Sequence, residues 1–204
     1  MLSDDTLIFV DGENLWHRYQ DLLKGGRTPR PDNIVIDGCF VWNNRTLERD
    51  DLWKVKRLSY YTSTVGDDKH VREVKESISA AKFRSTVDRR LDSKGAEETW
   101  TQTGQIVPFV RKKSSKSNKE SICDIAIAVD TMRSCYRDHA KNIWIFSGDG
   151  DFIKLFEEIV HSGKSAYAAA FSSGLHPEIK FSVDEFFLLD EDYFLPSAPK
   201  SDDA

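Results

Sequence analysis

The stretch Thr6–Leu15 reads TLIFVDGENL, and it decides how the rest of the chain is interpreted. Its first five residues form a short apolar run of the kind found in a buried central strand. The run ends at Asp11-Gly12, and a helix-like stretch follows from Glu13 to Leu23. The sequence therefore predicts a strand, a tight turn and a helix at the start of the chain.

Similar units follow along the chain, each with an apolar run and then a helical pattern. Strands are predicted at Lys54–Thr62, Gln105–Val110, Asn142–Phe146 and Lys164–Phe171, and helices at Asp67–Phe83, Ser121–Tyr136 and Phe152–His161. The helix at 121–136 is nearly all apolar, which predicts that it packs deep against a sheet. Strands that alternate with helices predict an α/β fold with a mostly parallel sheet covered by helices on both faces.

Residues 24–54 interrupt this alternation and are interpreted as an insertion or lid after the first helix. The segment IVIDGCFVW within it has the pattern of a hairpin. Such a hairpin, around residues 33–43, would shape a substrate groove or a dimer edge, and the sequence leaves both open, as it does the existence of a homodimer.

The length of 204 residues predicts one domain, at 1–195, followed by a disordered acidic tail at 196–204. No run approaches the roughly 20 apolar residues that cross a bilayer, and the acidic start MLSDDTLIFV does not resemble a secretory signal. A soluble, cytoplasmic protein without a membrane partner is expected. The three cysteines, Cys39, Cys123 and Cys135, predict free and mostly buried thiols.

The formal net charge of -5 argues against a wholly basic nucleic-acid binder, but the charge is unevenly distributed. Between Gln105 and Lys119 there are five basic residues and no acid: Arg111, Lys112, Lys113, Lys116 and Lys119. These side chains are candidates for contacts with a phosphate backbone. The alternative is an ordinary solvated loop.

Three aspartates follow two of the predicted central strands. Asp11 ends the first, and Asp149 and Asp151 lie in the turn SGDGD after NIWIF. In an open parallel sheet, ligands bind outside the carboxyl ends of the strands, so these acids are expected on one rim. Each of them could instead only cap a helix, but three together favour a functional site.

The helix at 121–136 carries two further acids, Asp124 and Asp130. Glu120 and Asp124 share a helical face, whereas Asp130 lies roughly 120° away from Asp124. One site is therefore not expected to receive both aspartates equally. Asp124 is the candidate ligand, Glu120 a candidate neighbour, and Asp130 is equally well explained as a structural acid paired with Arg133 or Arg137.

The segments FVDGENL, CDIAIAVD and WIFSGDGDF resemble successive motifs of the NYN family (LabA-like, DUF88), within the PIN-like nucleases. The resemblance covers residues 6–171 and implies a three-layer, Rossmann-like fold. It also implies a catalytic set, which matches Asp11, Asn14, Asp124, Asp149 and Asp151, with Ser147 opening the last turn as a candidate substrate contact. One departure is that Ser121-Ile122-Cys123 precedes Asp124 where many relatives have Lys-Gly-Val. The family's lysine therefore corresponds to Lys119 or to no residue of this chain.

The activity implied by the resemblance is metal-dependent hydrolysis of RNA, single-stranded or structured. Carboxylates without a metal-binding arrangement of histidine or cysteine favour Mg²⁺ or Mn²⁺ over zinc. Asp11, Asp124, Asp149 and Asp151 are the expected metal ligands, directly or through water, and Asn14 would orient water or the phosphate. Trp16, Tyr60 and Tyr61 would stack on bases, although such aromatic residues more often belong to a core.

Two other functions compete with this interpretation. A haloacid-dehalogenase-like phosphatase also begins with an apolar strand that ends in Asp, but its second acid comes two residues later as Asp, where this chain has Glu13. A non-catalytic RNA-binding or protein-interaction module would retain the fold without the chemistry. The presence of all five acidic and amide positions of the family favours an enzyme.

Overall fold

Strand β1 (Thr6–Asp11) is buried along its whole length and lies at the centre of the main sheet. The computed structural model describes residues 5–36, 38–48, 54–91, 96–113 and 122–196, with the backbone alone at 87–91 and 96–100. The remaining strands and the helices are numbered in chain order. The strands are β2 (Ile34–Ile36), β3 (Phe40–Trp42), β4 (Val55–Val65), β5 (Lys82–Leu91), β6 (Ala96–Lys113), β7 (Asn142–Phe146), β8 (Ser165–Ala170) and β9 (Glu185–Leu188).

Seven of these strands form one sheet in the order β5-β6-β4-β1-β7-β8-β9. Every neighbouring pair is parallel except β5 and β6, which are antiparallel. Because the parallel strands share one direction, their carboxyl ends meet at a single edge of the sheet. The prediction of a mostly parallel sheet is confirmed.

Helices cover both faces of the sheet and make it the middle of three layers. They are α1 (Gly12–Lys24), α2 (Asp68–Ala80), α3 (Ile122–Tyr136), α4 (Ile153–His161) and the short α5 (Asp190–Tyr193). One core cluster contains apolar side chains of α1, α2 and α5 against one face, and a second contains those of α3 and α4 against the other. This is the three-layer α/β architecture that the sequence predicts.

The predicted hairpin after the first helix is present as the antiparallel pair β2 and β3. All three residues of β3 are fully buried, and they join the core cluster that includes Leu15 and Trp16 of α1. This insertion is therefore part of the folded core on the α1 side of the sheet.

The prediction for the third strand is wrong in extent, and its antiparallel partner was not foreseen. The strand predicted at Gln105–Val110 runs from Ala96 to Lys113, and residues 82–91 pair with its first half as β5. Residues 84–104 are polar and carry charges on both strands, so no apolar run marks them in the sequence. Cross-strand pairing at the edge of the sheet decides their conformation.

Helix α3 packs against the sheet on one side only, so the prediction that it is buried deep is wrong for its outer face. Ile125 is 63% exposed and Tyr136 is 76% exposed, and Ile122 and Val129 are exposed with them. These positions are spaced three, four and seven residues apart and share one face. The sheet covers only the opposite face, which carries Ile127, Thr131 and Cys135.

The three thiols are free and buried, as the sequence predicts. Within the described ranges, no helix combines the length and apolar character needed to span a membrane. Three predicted site residues, Lys116, Lys119 and Glu120, lie outside the described residues, as does the tail from residue 197.

Candidate active site

The carboxyl ends of β1 and β7 meet where the topology of the sheet changes direction. β1 pairs with β4 on one side and with β7 on the other, all parallel, so the connections that leave the two sides diverge. Open α/β sheets form their ligand crevice at such a point. Asp11 ends β1 and Ser147 directly follows β7, so both side chains belong to this crevice.

The Asp11 carboxylate is held by two hydrogen bonds although it is only 3% exposed. Its Oδ1 accepts from the backbone N–H of Asn14 at 3.1 Å, which caps α1. Its Oδ2 accepts from the Ser147 hydroxyl at 2.9 Å. Asp11 is thus both the helix cap that the sequence offers as an alternative and a fixed, inward-facing acid, and the two roles coexist.

Burial raises the pKa of Asp11 to about 7, against the lowering effect of the hydrogen bonds from Asn14 and Ser147. The negative charges of Asp124 and Glu13 raise the pKa of Asp11 further. Both acids therefore lie within electrostatic range of the Asp11 carboxylate. A buried acid with a raised pKa is typical of functional sites, because its charged form is destabilising without a cation.

The turn after β7 is tied to the turn after β1 by two polar side chains. Asn14 Oδ1 accepts from the Gly148 N–H at 3.2 Å, and Ser147 Oγ accepts from the Asp149 N–H at 3.2 Å while its own hydroxyl donates to Asp11. The polar side chains of both motifs are therefore used to fix the crevice. Asn14 and Ser147 therefore have structural tasks in the crevice beside its acids.

Asp124 lies in the first turn of α3, where the helix begins beside the crevice. Its neighbour Cys123 is buried, and the pKa of the Cys123 thiol is raised to about 12 by burial and by the charges of Glu13, Asp11 and Asp124. The charges of the same three carboxylates therefore act on this thiol as well. Cys123 is a protonated packing residue and not a nucleophile.

An ion pair at the site, Glu13–Lys113, was not predicted. Lys113 Nζ donates to Glu13 Oε1 at 3.0 Å, and the two side chains are 11% and 22% exposed. The Ser63 hydroxyl donates to the same oxygen. Glu13 follows Asp11 by two residues in the sequence, but only the parallel pairing of β4 and β6 brings Ser63 and Lys113 to it.

Asp149 and Asp151 lie in the turn after β7, at the edge of the crevice. Asp149 Oδ1 accepts from the Asp151 N–H at 3.0 Å and so caps the short helical turn Gly150–Phe152. Asp151 is exposed. Among the described residues, no three acidic, histidine or cysteine side chains converge closely enough to enclose one ion. The metal-binding roles of Asp11, Asp124, Asp149 and Asp151 stay predictions.

The predicted basic contacts are only partly available to a ligand. Arg111 is exposed, Lys112 pairs with Asp68 at 3.0 Å, and Lys113 is engaged by Glu13. Tyr60 and Tyr61 are 0% and 1% exposed. The alternative that these tyrosines belong to the core is confirmed, as it is for Trp16, which is 8% exposed.

Asp130 is a structural acid, as one of the two sequence interpretations holds. Its Oδ1 accepts from Arg133 Nη1 at 2.6 Å, and its Oδ2 accepts from the Tyr61 hydroxyl at 2.9 Å. These contacts lie on a side of α3 that is turned roughly 120° from Asp124. The helical spacing alone separates the two aspartates correctly.

Gly12 is required where α1 leaves the crevice, and we expect Gly12→Ala to destabilise the protein by at least about 1–3 kcal/mol. A Cβ at this position would lie 2.2 Å from Tyr60 Cε1 and 2.7 Å from the Tyr61 carbonyl oxygen. The Tyr60 ring cannot retreat easily, because its hydroxyl accepts from the Val41 N–H at 3.2 Å inside the core.

Thermal and urea unfolding measure this loss, with Gly25→Ala at the other end of α1 as the matched control. Gly25 has φ of -74°, an ordinary conformation for alanine, and a Cβ there would lie 3.3 Å from the Leu22 carbonyl oxygen, so its replacement should cost much less than that of Gly12. Equal stability of Gly12→Ala and Gly25→Ala would contradict the tight packing described for Gly12.

Comparisons with known proteins give a family and a fold. A family model described as NYN domain matches residues 5–190, which is most of the chain. A crystal structure from Vibrio parahaemolyticus, titled as a protein of unknown function, VPA0982, is similar with a TM-score of 0.59 and 15% sequence identity. The similarity covers 95% of this chain and 97% of that one, and at this identity it bears on the fold alone. No curated protein matches significantly.

Proposed function

The chain belongs to the NYN domain family of the PIN-like nuclease superfamily, and we propose that it is a metal-dependent ribonuclease that hydrolyses phosphodiester bonds in RNA. The observation that carries the proposal is the buried Asp11 carboxylate, which is fixed by Ser147 and Asn14 and lies within electrostatic range of Asp124 and Glu13. A purely structural helix cap needs no such cluster of acids.

The acids of the crevice fit Mg²⁺ or Mn²⁺ better than a metal whose coordination positions must all be filled by protein side chains. Mg²⁺ usually binds proteins through one or two carboxylates and keeps several waters. Asp11 and Asp124 would hold the ion directly, and Asp149 and Asp151 would contact it through water. When bound, the ion supplies positive charge that activates water and neutralises the phosphate.

The side chains around the acids have separate tasks in this proposal. Ser147 orients the Asp11 carboxylate through its 2.9 Å hydrogen bond, so that one oxygen keeps a constant direction. Asn14 fixes the distance between the two turns through Gly148 and presents its amide nitrogen to the phosphate or to water. Arg111, Lys112, Lys116 and Lys119 would contact the RNA backbone, where each contact makes binding weaker at high salt.

The test is cleavage of a labelled single-stranded RNA of mixed sequence, with Mn²⁺, Mg²⁺ or EDTA. The native protein is compared with Asp149→Asn, in which the amide oxygen can still accept from the Asp151 N–H and preserve the turn. We expect cleavage by the native protein with metal only, and little or none by the variant.

The outcomes separate an enzyme from a binding module. Metal-dependent cleavage that the variant loses supports the nuclease and its site. Cleavage that persists in EDTA, or equal cleavage by Asp149→Asn, would refute the mechanism. RNA binding without cleavage under every metal condition would favour the non-catalytic module.

A further inference from the structure

A cleft of about 370 Å³ adjoins the acidic crevice on its α1 side, and the proposed cleavage mechanism assigns no task to it. One wall is the face of α1 that carries Glu13, Trp16 and Gln20, and the carboxyl end of β4 forms the floor. Glu13 belongs to both spaces, because it lines the cleft and also lies within electrostatic range of Asp11. A ligand in the cleft would therefore lie next to the candidate catalytic acids.

The floor of the cleft is polar and already ordered. Thr62, Ser63 and Thr64 are 0%, 5% and 8% exposed. Thr62 donates to the Cys39 carbonyl at 2.7 Å, and Thr64 Oγ1 lies 3.2 Å from His70 Nε2. The rim carries two exposed imidazoles, His17 and His70. A volume in the range of about 300–1,000 Å³ with fixed polar groups is typical of small-ligand sites.

The charges in the cleft favour a neutral ligand over an anion. Apart from its two histidines, the ionisable residues that line the cleft are Glu13 and Lys113, and their charges neutralise each other at 3.0 Å. A phosphate would meet the Glu13 carboxylate without a surplus of positive charge, which costs binding energy. A flat, neutral group with hydrogen-bonding edges meets no such penalty, and imidazole rings are among the groups on which bases stack.

Glu13 offers an acceptor for such a group. Both contacts of its carboxylate, from Ser63 and Lys113, fall on Oε1, and in the described part of the chain Oε2 has no partner. Every nucleobase carries N–H donors and carbonyl or ring-nitrogen acceptors on one edge. A carboxylate oxygen beside a lysine ammonium presents the complementary acceptor and donor next to each other.

We propose that this cleft binds one nucleobase of the RNA, that of a nucleotide next to the scissile phosphate. The position of this base next to a cleaved phosphate rests on the proposed ribonuclease function, but nucleotide binding itself does not depend on cleavage. The cleft would set which nucleotide flanks the cut, and Glu13 and Gln20 would read its edge.

The experiment uses proton NMR of the histidine side chains of the native protein in EDTA, with the four nucleoside 5′-monophosphates as probes. His17 and His70 line the cleft, whereas His161 and His176 do not. We expect saturable shifts of the His17 and His70 signals, with roughly millimolar affinity for a single nucleotide. Ribose 5-phosphate, which lacks the base, should leave both signals unchanged.

Two variants on α1 control the assignment. Gln20→Ala removes an amide that lines the cleft and should weaken nucleotide binding severalfold, whereas Lys24→Ala, one turn later and outside the cleft, should bind as the native protein does. Neither residue belongs to the proposed catalytic set.

The results separate this inference from the proposed function. If nucleotides shift the His17 and His70 signals and ribose 5-phosphate does not, the result supports base binding in the cleft, whether or not the protein cleaves RNA. Equal shifts with ribose 5-phosphate, or no shift of either histidine at saturating nucleotide, would overturn it. Metal-dependent cleavage together with such a negative result would leave the nuclease intact and remove only the base site.

Discussion

Asp124→Asn should reduce kcat/KM for metal-dependent RNA cleavage by at least about 100-fold, because loss of an outer partner of a metal ligand already costs about 10- to 100-fold. Asparagine keeps the size of the side chain and removes only the negative charge. The loss should therefore come from weaker metal binding and a less stabilised transition state, and a high concentration of Mn²⁺ should restore part of it. Steady-state cleavage across a metal titration measures both effects.

Asp130→Asn on the same helix is the matched control for this experiment. Asp130 pairs with Arg133 and accepts from Tyr61, and the asparagine oxygen can keep one of these contacts. We expect nearly native cleavage and a stability loss of at most about 1 kcal/mol, the usual range for a partly exposed ion pair. If both variants lost activity equally, damage to α3 and not loss of a ligand would explain the result.

The second large effect concerns Asp11 and the pH dependence of stability in the metal-free protein. The pKa of Asp11 is about 7 in the folded protein, well above its ordinary value of 3.8. The folded state therefore holds a proton that the unfolded state releases. The stability from this group is full below pH 3.8, falls as pH rises towards 7, and is lost above it.

Removal of the charge should reverse this loss. At pH 8 and without metal, we expect Asp11→Asn to be more stable than the native protein by up to a few kcal/mol, and the difference should vanish towards pH 4. Mg²⁺ should stabilise the native protein at pH 8, because it binds the folded state and replaces the proton, and should have little effect on the variant. Thermal unfolding across pH, with and without Mg²⁺, measures both quantities.

Comparison of native and variant at each pH is essential, because paired acids elsewhere titrate in the opposite direction. The hydrogen bond and charge of Lys164, for example, lower the pKa of Asp138. Such contributions cancel in the difference between the two proteins. Equal stabilisation of both proteins by Mg²⁺ would show that Asp11 does not hold the ion.

The sequence alone determined the strand-helix units and therefore the sheet edge on which the chemistry lies. An apolar run that ends in Asp-Gly before a helical pattern leaves few alternatives, since local hydrophobic periodicity and turn residues act over a few positions. Asp11 and Ser147 were expected at that edge, and they hydrogen-bond there. The separation of Asp124 from Asp130 also followed from helical spacing alone.

Only the tertiary structure decided the features that depend on pairing between distant segments. The β5–β6 hairpin has no apolar signal, so its conformation depends on its position at the edge of the sheet. Lys113 was expected to contact phosphate, and it pairs with Glu13, 100 residues away, because parallel strands end together. The cleft beside α1 likewise forms where α1, β4 and α2 meet. Spacing along a chain specifies a face or a turn, whereas the partner of a charge is decided by the register of the sheet.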